Sequence, residues 1–215
     1  MIIIGAKGFA KEVLEILHQN NQLNELAFFD DVSKNLYGRL YDKFEILTSL
    51  QQAEKYFTTV DNSFTIGVGN PKIRKLLHDK FIAIGGKFVS TISNKAVFGS
   101  YDVKIGHGCN ILSGSIFSNS TKIGIGCIVY YNSLITHDCI IGDFVEISPS
   151  VTILGRVTIG DYSQIGSNST ILPNLKIGKN VIIGSGSVVT KDLPDNCVVV
   201  GIPAKIIKFS PPHEY

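Results

Sequence analysis

The chain has no tryptophan and one methionine in 215 residues, and only 18% of its residues are charged. Twenty Lys and Arg stand against eighteen Asp and Glu, a formal net charge of +2, and no segment concentrates one sign. A nucleic-acid or acidic-membrane surface needs such a segment, so neither partner is expected. Long apolar runs are missing too. Met1-Ile2-Ile3-Ile4 carries no basic leader and runs straight into Gly5, and no stretch approaches the roughly 20 residues of a membrane span. The expectation is a soluble, cytoplasmic protein. Cys109, Cys127, Cys139 and Cys197 form no CxxC pair, which argues against a zinc knuckle or a redox dithiol.

What the chain does have is glycine, 21 residues of it, and a mean hydropathy of +0.22. Both trace to a repeat. From Ile105, Ile111, Phe117 and Ile123 through to Ile183 and Val189, every sixth residue is a large apolar one, over fifteen positions without an insertion. A helix repeats near 3.6 and a strand at 2, so a period of six describes a short strand plus a corner. Gly106, Gly124, Gly142, Gly160 and Gly178 follow the apolar position at a spacing of eighteen. Three hexads therefore make one coil of a triangular parallel β-helix, and coils stack about 4.8 Å apart. Small or β-branched residues fill the place four after each apolar one, Cys109, Ser115, Thr121, Cys127, Ser133 and Cys139 among them. Those cysteines are expected as compact interior side chains.

Residues 1–85 follow another pattern. Ile2-Ile3-Ile4 reads as a buried strand, Gly5-Ala6-Lys7-Gly8 as a tight turn, and Lys11 to His18 as a helix with Val13, Leu14, Ile16 and Leu17 on its apolar side. Ala27-Phe28-Phe29 then ends in Asp30-Asp31, and Thr65-Ile66-Gly67-Val68-Gly69-Asn70 reads as a strand followed by a helix that begins at Pro71. This is the opening of a Rossmann-like α/β domain. The strand ends at Gly5, Asp30 and Gly69 converge at the carboxyl edge of one parallel sheet, where such folds bind ligands. Gly5 and Gly8 supply a G-x-x-G, one glycine short of the dinucleotide fingerprint. NAD is disfavoured, and a mononucleotide or nucleotide-sugar fits better. Residues 86–94 are read as a linker, 95–208 as the β-helix, and 209–215 as a tail.

Among the histidines, His18 and His78 fall on predicted helices and His213 in the tail, where solvation is the expectation. His107 and His137 each stand two residues after a repeat isoleucine but 30 residues, or five hexads, apart, so they occupy different corners of one chain. His107 has no acidic neighbour. His137 is followed by Asp138.

The closing Val189-Thr190-Lys191-Asp192-Leu193-Pro194 and Gly201-Ile202-Pro203-Ala204-Lys205 make residues 95–208 similar to the hexapeptide-repeat acyltransferases. That resemblance implies a left-handed β-helix assembling as a homotrimer. With its α/β front domain, the whole chain resembles the sugar N-acyltransferases of bacterial surface-glycan and protein-glycosylation pathways, typified by the acetyltransferase of bacillosamine synthesis. The resemblance implies a nucleotide-linked amino-sugar in the front domain, on Lys7, Gly8, Phe9, Asp30, Asp31 and Gly69. It implies acetyl-CoA as cosubstrate, with no metal, in a groove between subunits.

Ile135-Thr136-His137-Asp138-Cys139 matches the family's catalytic element. An amine must lose a proton to attack a thioester, and imidazole is the side chain best suited to take it. The resemblance gives Asp138 the task of orienting the ring. Gly155, eighteen residues after His137, stands at the corresponding place one coil on, where its N–H is a candidate donor to the thioester oxygen. Ser167 and Ser185 match positions whose backbones touch CoA, and Lys191 and Lys205 are candidates for its phosphates. Glu146 stands where many relatives carry a second histidine at the acetyl-CoA end, and Phe9 where the bacillosamine enzyme has a histidine. γ-Type carbonic anhydrases share the β-helix but need two histidines five residues apart, and Gly142 holds that place. A hydroxyl acceptor and a catalytically silent nucleotide-sugar-binding trimer remain as alternatives to the N-acetyltransferase reading.

Overall fold

The computed structural model describes residues 1–33 and 38–211, and divides into two units, 1–94 and 95–215. His213 lies outside the described residues.

The first unit runs β1 (Ile2–Ile4), α1 (Gly8–Gln19), β2 (Ala27–Phe29), β3 (Arg39–Leu40), β4 (Phe44–Leu47), α2 (Leu50–Thr59), β5 (Ser63–Ile66), α3 (Pro71–Ala83) and β6 (Lys87–Phe88). The sheet order is β3-β4-β2-β1-β5-β6, parallel except for β3 against β4. β1 is central and wholly buried, which is why it reads as three isoleucines with no polar alternation. The chain leaves β1 toward β2 on one side and returns to β5 on the other, so the carboxyl edge of β1 is a switch point. Helix α1 buries Ala10, Val13, Leu14, Ile16 and Leu17. It starts at Gly8, ahead of the expected Lys11, because Ala10 extends the same packed stripe. Ser49 caps α2 through a capping box with Gln52, and the Asn70 side chain accepts from Lys72 and Ile73 at the start of α3, with Pro71 in its first turn. Residues 86–94, expected as a linker, contain β6 and the short strand Thr91–Ile92, and cluster with the first unit.

The second unit is a left-handed parallel β-helix. Its strands are two residues long and pair with strands eighteen residues on, as in Leu134↔Thr152 and Ile135↔Ile153. Among the described residues they form three parallel faces, one holding Ile128–Val129 and Glu146–Ile147, the next Leu134–Ile135 and Thr152–Ile153, the last Lys122–Ile123 and Ile140–Ile141. The repeat residues point inward: Ile111, Val129, Ile147, Ile165 and Ile183 are all at most 1% exposed, each stabilising the coil by about 1.5–3 kcal/mol.

Cys109, Cys127 and Cys139 are interior, and their thiols point at the carbonyls of Gly124, Gly142 and Leu154, as the Ser133, Ser163 and Ser169 hydroxyls point at those of Ser148, Gly178 and Gly184. A thiol here does the work of a small interior donor. The stack closes with an antiparallel pair, Cys197–Val200 against Lys205–Phe209, which the repeat does not foretell.

The corner glycines serve closeness of approach. Gly106, Gly124 and Gly160 do not have positive φ, yet a Cβ on any of them would lie 2.4–2.7 Å from the coil above. The left-handed backbone falls two residues later, at Gly108, Gly126 and Tyr162.

Candidate functional site

In the first unit the carboxyl ends of β1, β2 and β5 open into a pocket of ≈ 320 Å³. Its floor and walls are Ile4 to Lys7, Phe29 to Ser33, Gly67, Val68, and Ile73 and Leu77 of α3. Gly67 is needed for this packing, since a Cβ there would sit 2.6 Å from the Ala10 Cα of α1. Of the strand ends read from the sequence, Gly5 and Asp30 line the pocket, and so do Lys7 and Asp31, which the resemblance named. Asp30 is buried and turned to its own loop, accepting from the Val32 and Ser33 N–H groups at 3.2 and 2.8 Å and from the Ser33 hydroxyl at 3.0 Å. Asp31 instead pairs with Lys80 of α3 at 2.9 Å, and the Lys80 ammonium lies 5.7 Å from the centre of the Phe29 ring. Gly8, Phe9 and Gly69 are not in the pocket wall. Gly8 opens α1, Phe9 packs on the cluster containing Val13, Leu40 and Phe44, and the Gly69 carbonyl accepts from the buried Arg74. The apolar walls Val68, Ile73 and Leu77 escape sequence reading because they come from a loop and a helix whose place over the edge is a matter of tertiary packing.

In the second unit His137 stands at the corner after Leu134–Ile135. Its Nδ1 meets Asp138 Oδ2 at 2.7 Å, and both side chains are about half exposed (51% and 52%). The ring lies directly over Gly155, where a Cβ would come within 2.5 Å of Cε1 and Nε2. The glycine thus makes room for the imidazole. Among the described residues nothing accepts from the Gly155 N–H, because the residue one coil further on is Pro173, whose ring has no acceptor. His137, Asp138 and Gly155 are therefore brought together with Nδ1 engaged by the carboxylate and Nε2 free to take a proton. Burial pushes the neighbouring Cys139 thiol up, away from thiolate character.

The other residues named from the sequence lie elsewhere on the triangle. Glu146 is in the strand opposite the His137 corner, since the chain passes Ile140–Ile141 and another corner before reaching it. Ser167 and Ser185 stack at the third corner, where the Gly186 N–H donates to the Ser167 carbonyl at 2.8 Å. Lys191 stands on the His137 corner three coils on, and Lys205 opens the terminal strand. His107 is on a corner apart from His137. His18 is exposed. His78, expected to be solvated, is largely covered, bonded to Asp79 at 2.9 Å and edge-on to Phe88. Among the described residues no three His, Cys, Asp or Glu side chains stand as a metal-binding group, and no helix is long and apolar enough to cross a membrane.

The sequence matches the PglD N-terminal domain family over residues 1–81 and the bacterial transferase hexapeptide family over residues 138–173 and 156–191. Comparison with curated proteins gives no significant match. Solved structures match along nearly the whole chain. A variant of perosamine N-acetyltransferase from Caulobacter crescentus, solved with CoA and GDP-perosamine, is 25% identical over 96% of each chain with a TM-score of 0.89. The acetyltransferase domain of PglB from Neisseria gonorrhoeae, solved with acetyl coenzyme A, is 27% identical over 96% of this chain and 98% of that one, TM-score 0.86. WeeI from Acinetobacter baumannii is 32% identical over 96% of this chain and all of the other, TM-score 0.85. With an α/β unit of the PglD type, a hexapeptide β-helix and full-length likeness to these proteins, the chain belongs to the hexapeptide-repeat sugar N-acyltransferases.

Proposed function

We propose that the protein is an acetyl-CoA-dependent N-acetyltransferase acting on a nucleotide-linked amino-deoxy sugar, in bacterial surface-glycan or glycoprotein biosynthesis in the cytoplasm. The observation that carries this reading is the His137 ring, bonded through Nδ1 to Asp138 and seated over a glycine whose N–H has no acceptor of its own among the described residues. Nε2 takes the proton that the sugar amine sheds as its nitrogen attacks the thioester carbon. The carbonyl oxygen becomes an oxyanion held by the Gly155 N–H. The C–S bond then breaks, the proton on Nε2 passes to the departing thiolate, and amide and free CoA result. Asp138 holds the ring in the tautomer with Nε2 unprotonated and stabilises the imidazolium between the two transfers.

The first unit's pocket suits the nucleotide. Lys7 supplies a cation at the uncapped start of α1, whose first-turn N–H groups favour a phosphate, and Val68, Ile73 and Leu77 give an apolar wall for the base. Glu146, Ser167 and Ser185 lie on other sides of the triangle from His137, so in this reading the acetyl-CoA site is completed by a neighbouring subunit of a homotrimer. Relatives solved with CoA, acetyl coenzyme A and GDP-perosamine support the choice of both substrates.

The test is release of free thiol from acetyl-CoA against UDP-, dTDP- and GDP-linked 3- and 4-amino-dideoxy sugars. Turnover is expected with at least one of them. Turnover with hydroxyl sugars alone would convert the reading to an O-acetyltransferase, and none with any acceptor would leave a binding protein.

A further inference from the structure

On the corner that carries His137, main-chain donors run out one coil beyond Gly155. At the Gly155 level the flanking N–H groups are engaged within the β-helix, Leu154 on the Ile171 carbonyl at 3.1 Å and Arg156 on the His137 carbonyl at 3.0 Å, and the Gly155 N–H is left without an acceptor among the described residues. At the next level Leu172 donates to the Val189 carbonyl at 3.1 Å and Asn174 to that of Gly155 at 2.9 Å, while Pro173 between them has no N–H. A polar ligand that runs from Gly155 toward Lys191 therefore meets no free main-chain donor at the Pro173 level.

A side chain supplies what the main chain lacks there. Arg156 is exposed and forms no ion pair among the described residues. Its Nε donates to Asn174 Oδ1, one coil on, at 2.6 Å. That bond lays the side chain along the coil axis, up to the level of Pro173 and Asn174. The two Nη groups are left as a planar fork of donors with no partner among the described residues.

We infer that Arg156 binds the pantetheine amide carbonyl nearest the thioester of acetyl-CoA, with Asn174 as its positioning residue. This rests on the acyl-transfer reading of His137, in which the thioester oxygen sits on the Gly155 N–H. Reach selects the group. The fork stands up to one coil, about 5 Å, beyond Gly155, and the first amide of the arm is parted from the sulfur by two methylenes, a span of that size. A guanidinium donating to that carbonyl makes a charge-assisted bond. The phosphates of CoA lie beyond the whole arm, and Lys191, two coils or about 10 Å beyond Gly155, is the cation on this corner placed for them.

Asparagine occupies the same left-handed turn at positions 132, 168, 174 and 180, so Arg156→Asn removes the guanidinium without straining the backbone. A bond made alike in ground and transition states appears in KM alone. In Arg156→Asn the KM for acetyl-CoA should rise about tenfold, with kcat and the sugar KM changed less than about twofold and no loss in Tm. Arg156→Lys should recover part of the affinity, and Asn174→Gly, which frees Nε, should give a smaller rise in the same constant. S-acetylpantetheine keeps the amides and has no phosphate, so its kcat/KM should fall by the same factor in Arg156→Asn. Where the wild type is too slow on that donor, the ratio of variant to wild-type KM for acetyl-CoA should hold from low to high salt, because the acceptor is a neutral carbonyl. An unchanged KM for acetyl-CoA overturns the assignment, and so does a rise in the sugar KM instead. So does a loss confined to acetyl-CoA, or a ratio that falls toward one as salt is added, either of which gives the fork to a CoA phosphate. Absence of wild-type turnover with every acceptor would defeat the acyl-transfer reading itself, a result distinct from these.

Discussion

Two corners of the same β-helix are built from the same hexad and end up chemically opposite. At the corner that holds Asp143 and Asp161, a carboxylate from the next coil closes each step: Asp143 accepts from the Ile125 N–H at 2.8 Å, and Asp161 from the Asp143 N–H at 3.0 Å. Asp161 also pairs with Lys179 at 2.8 Å. At the corner that holds His137, the residue above is Gly155, and above that Pro173, so the ladder of side-chain acceptors stops. Glycine is required at both, for different neighbours. A Cβ on Gly142 would strike Asp161 Oδ1 at 2.4 Å, whereas one on Gly155 would strike the imidazole at 2.5 Å. One corner spends its polar groups on itself, and the other leaves a half-exposed base over a buried backbone donor that has no acceptor among the described residues.

Breaking the open corner should have the larger effects. His137→Ala removes the base and should lower kcat by about 10²–10⁴-fold, with the circular dichroism spectrum and Tm close to wild type because the side chain is half exposed. Activity near wild type in this variant would take His137 out of the chemistry. Gly155→Ala is the subtler break. The new methyl and the ring cannot share their present places, and since a misplacement of about 1 Å is worth around a hundredfold in rate, kcat should fall by about that factor while the KM for the sugar changes little. Equal kcat in Gly155→Ala and wild type would mean that the ring's seat over the glycine has no part in catalysis.

Much of this was legible beforehand, for a physical reason. A strict period leaves no freedom of register, so the eighteen-residue spacing placed Gly155 beside His137 and put His107 on another corner without any coordinates. The same spacing could not say why the corner glycines are glycine. They stand at the corners of the repeat, but Gly106, Gly124 and Gly160 are there for the close approach of the next coil, and the left-handed turn falls two residues further on, where Tyr162 is unremarkable in a list of letters. In the first unit the acidic pair at the end of β2 was visible, but not that Asp30 would be consumed by its own loop while Asp31 reached Lys80. Those partners are separated by 49 residues of aperiodic sequence. Gly8, Phe9 and Gly69 were named from a motif, and motifs give proximity along the chain rather than direction in space.

The closed corner should yield the smallest effects, and they should appear in stability without touching kcat. Asp161→Ala removes the acceptor for the Asp143 N–H and should cost about 1–2 kcal/mol by denaturant titration. Asp161→Asn keeps an amide oxygen in that place and loses only the pairing with Lys179, whose side chain is 64% exposed, so its cost should be the smaller of the two. Burial by itself would raise the Asp161 carboxyl, but the hydrogen bond and charge of Lys179, together with the Asp143 N–H, hold it below the ordinary carboxylate value. A carboxylate depressed in the folded state contributes stability that is present above its unfolded pKa and is lost as pH falls through the folded value. Wild type should accordingly lose more stability than Asp161→Asn between neutral pH and the acid side of the carboxylate range, and the two curves should converge there. Parallel curves across that window would show that the Lys179 pair adds nothing, and that the closed corner is held by its backbone hydrogen bonds alone.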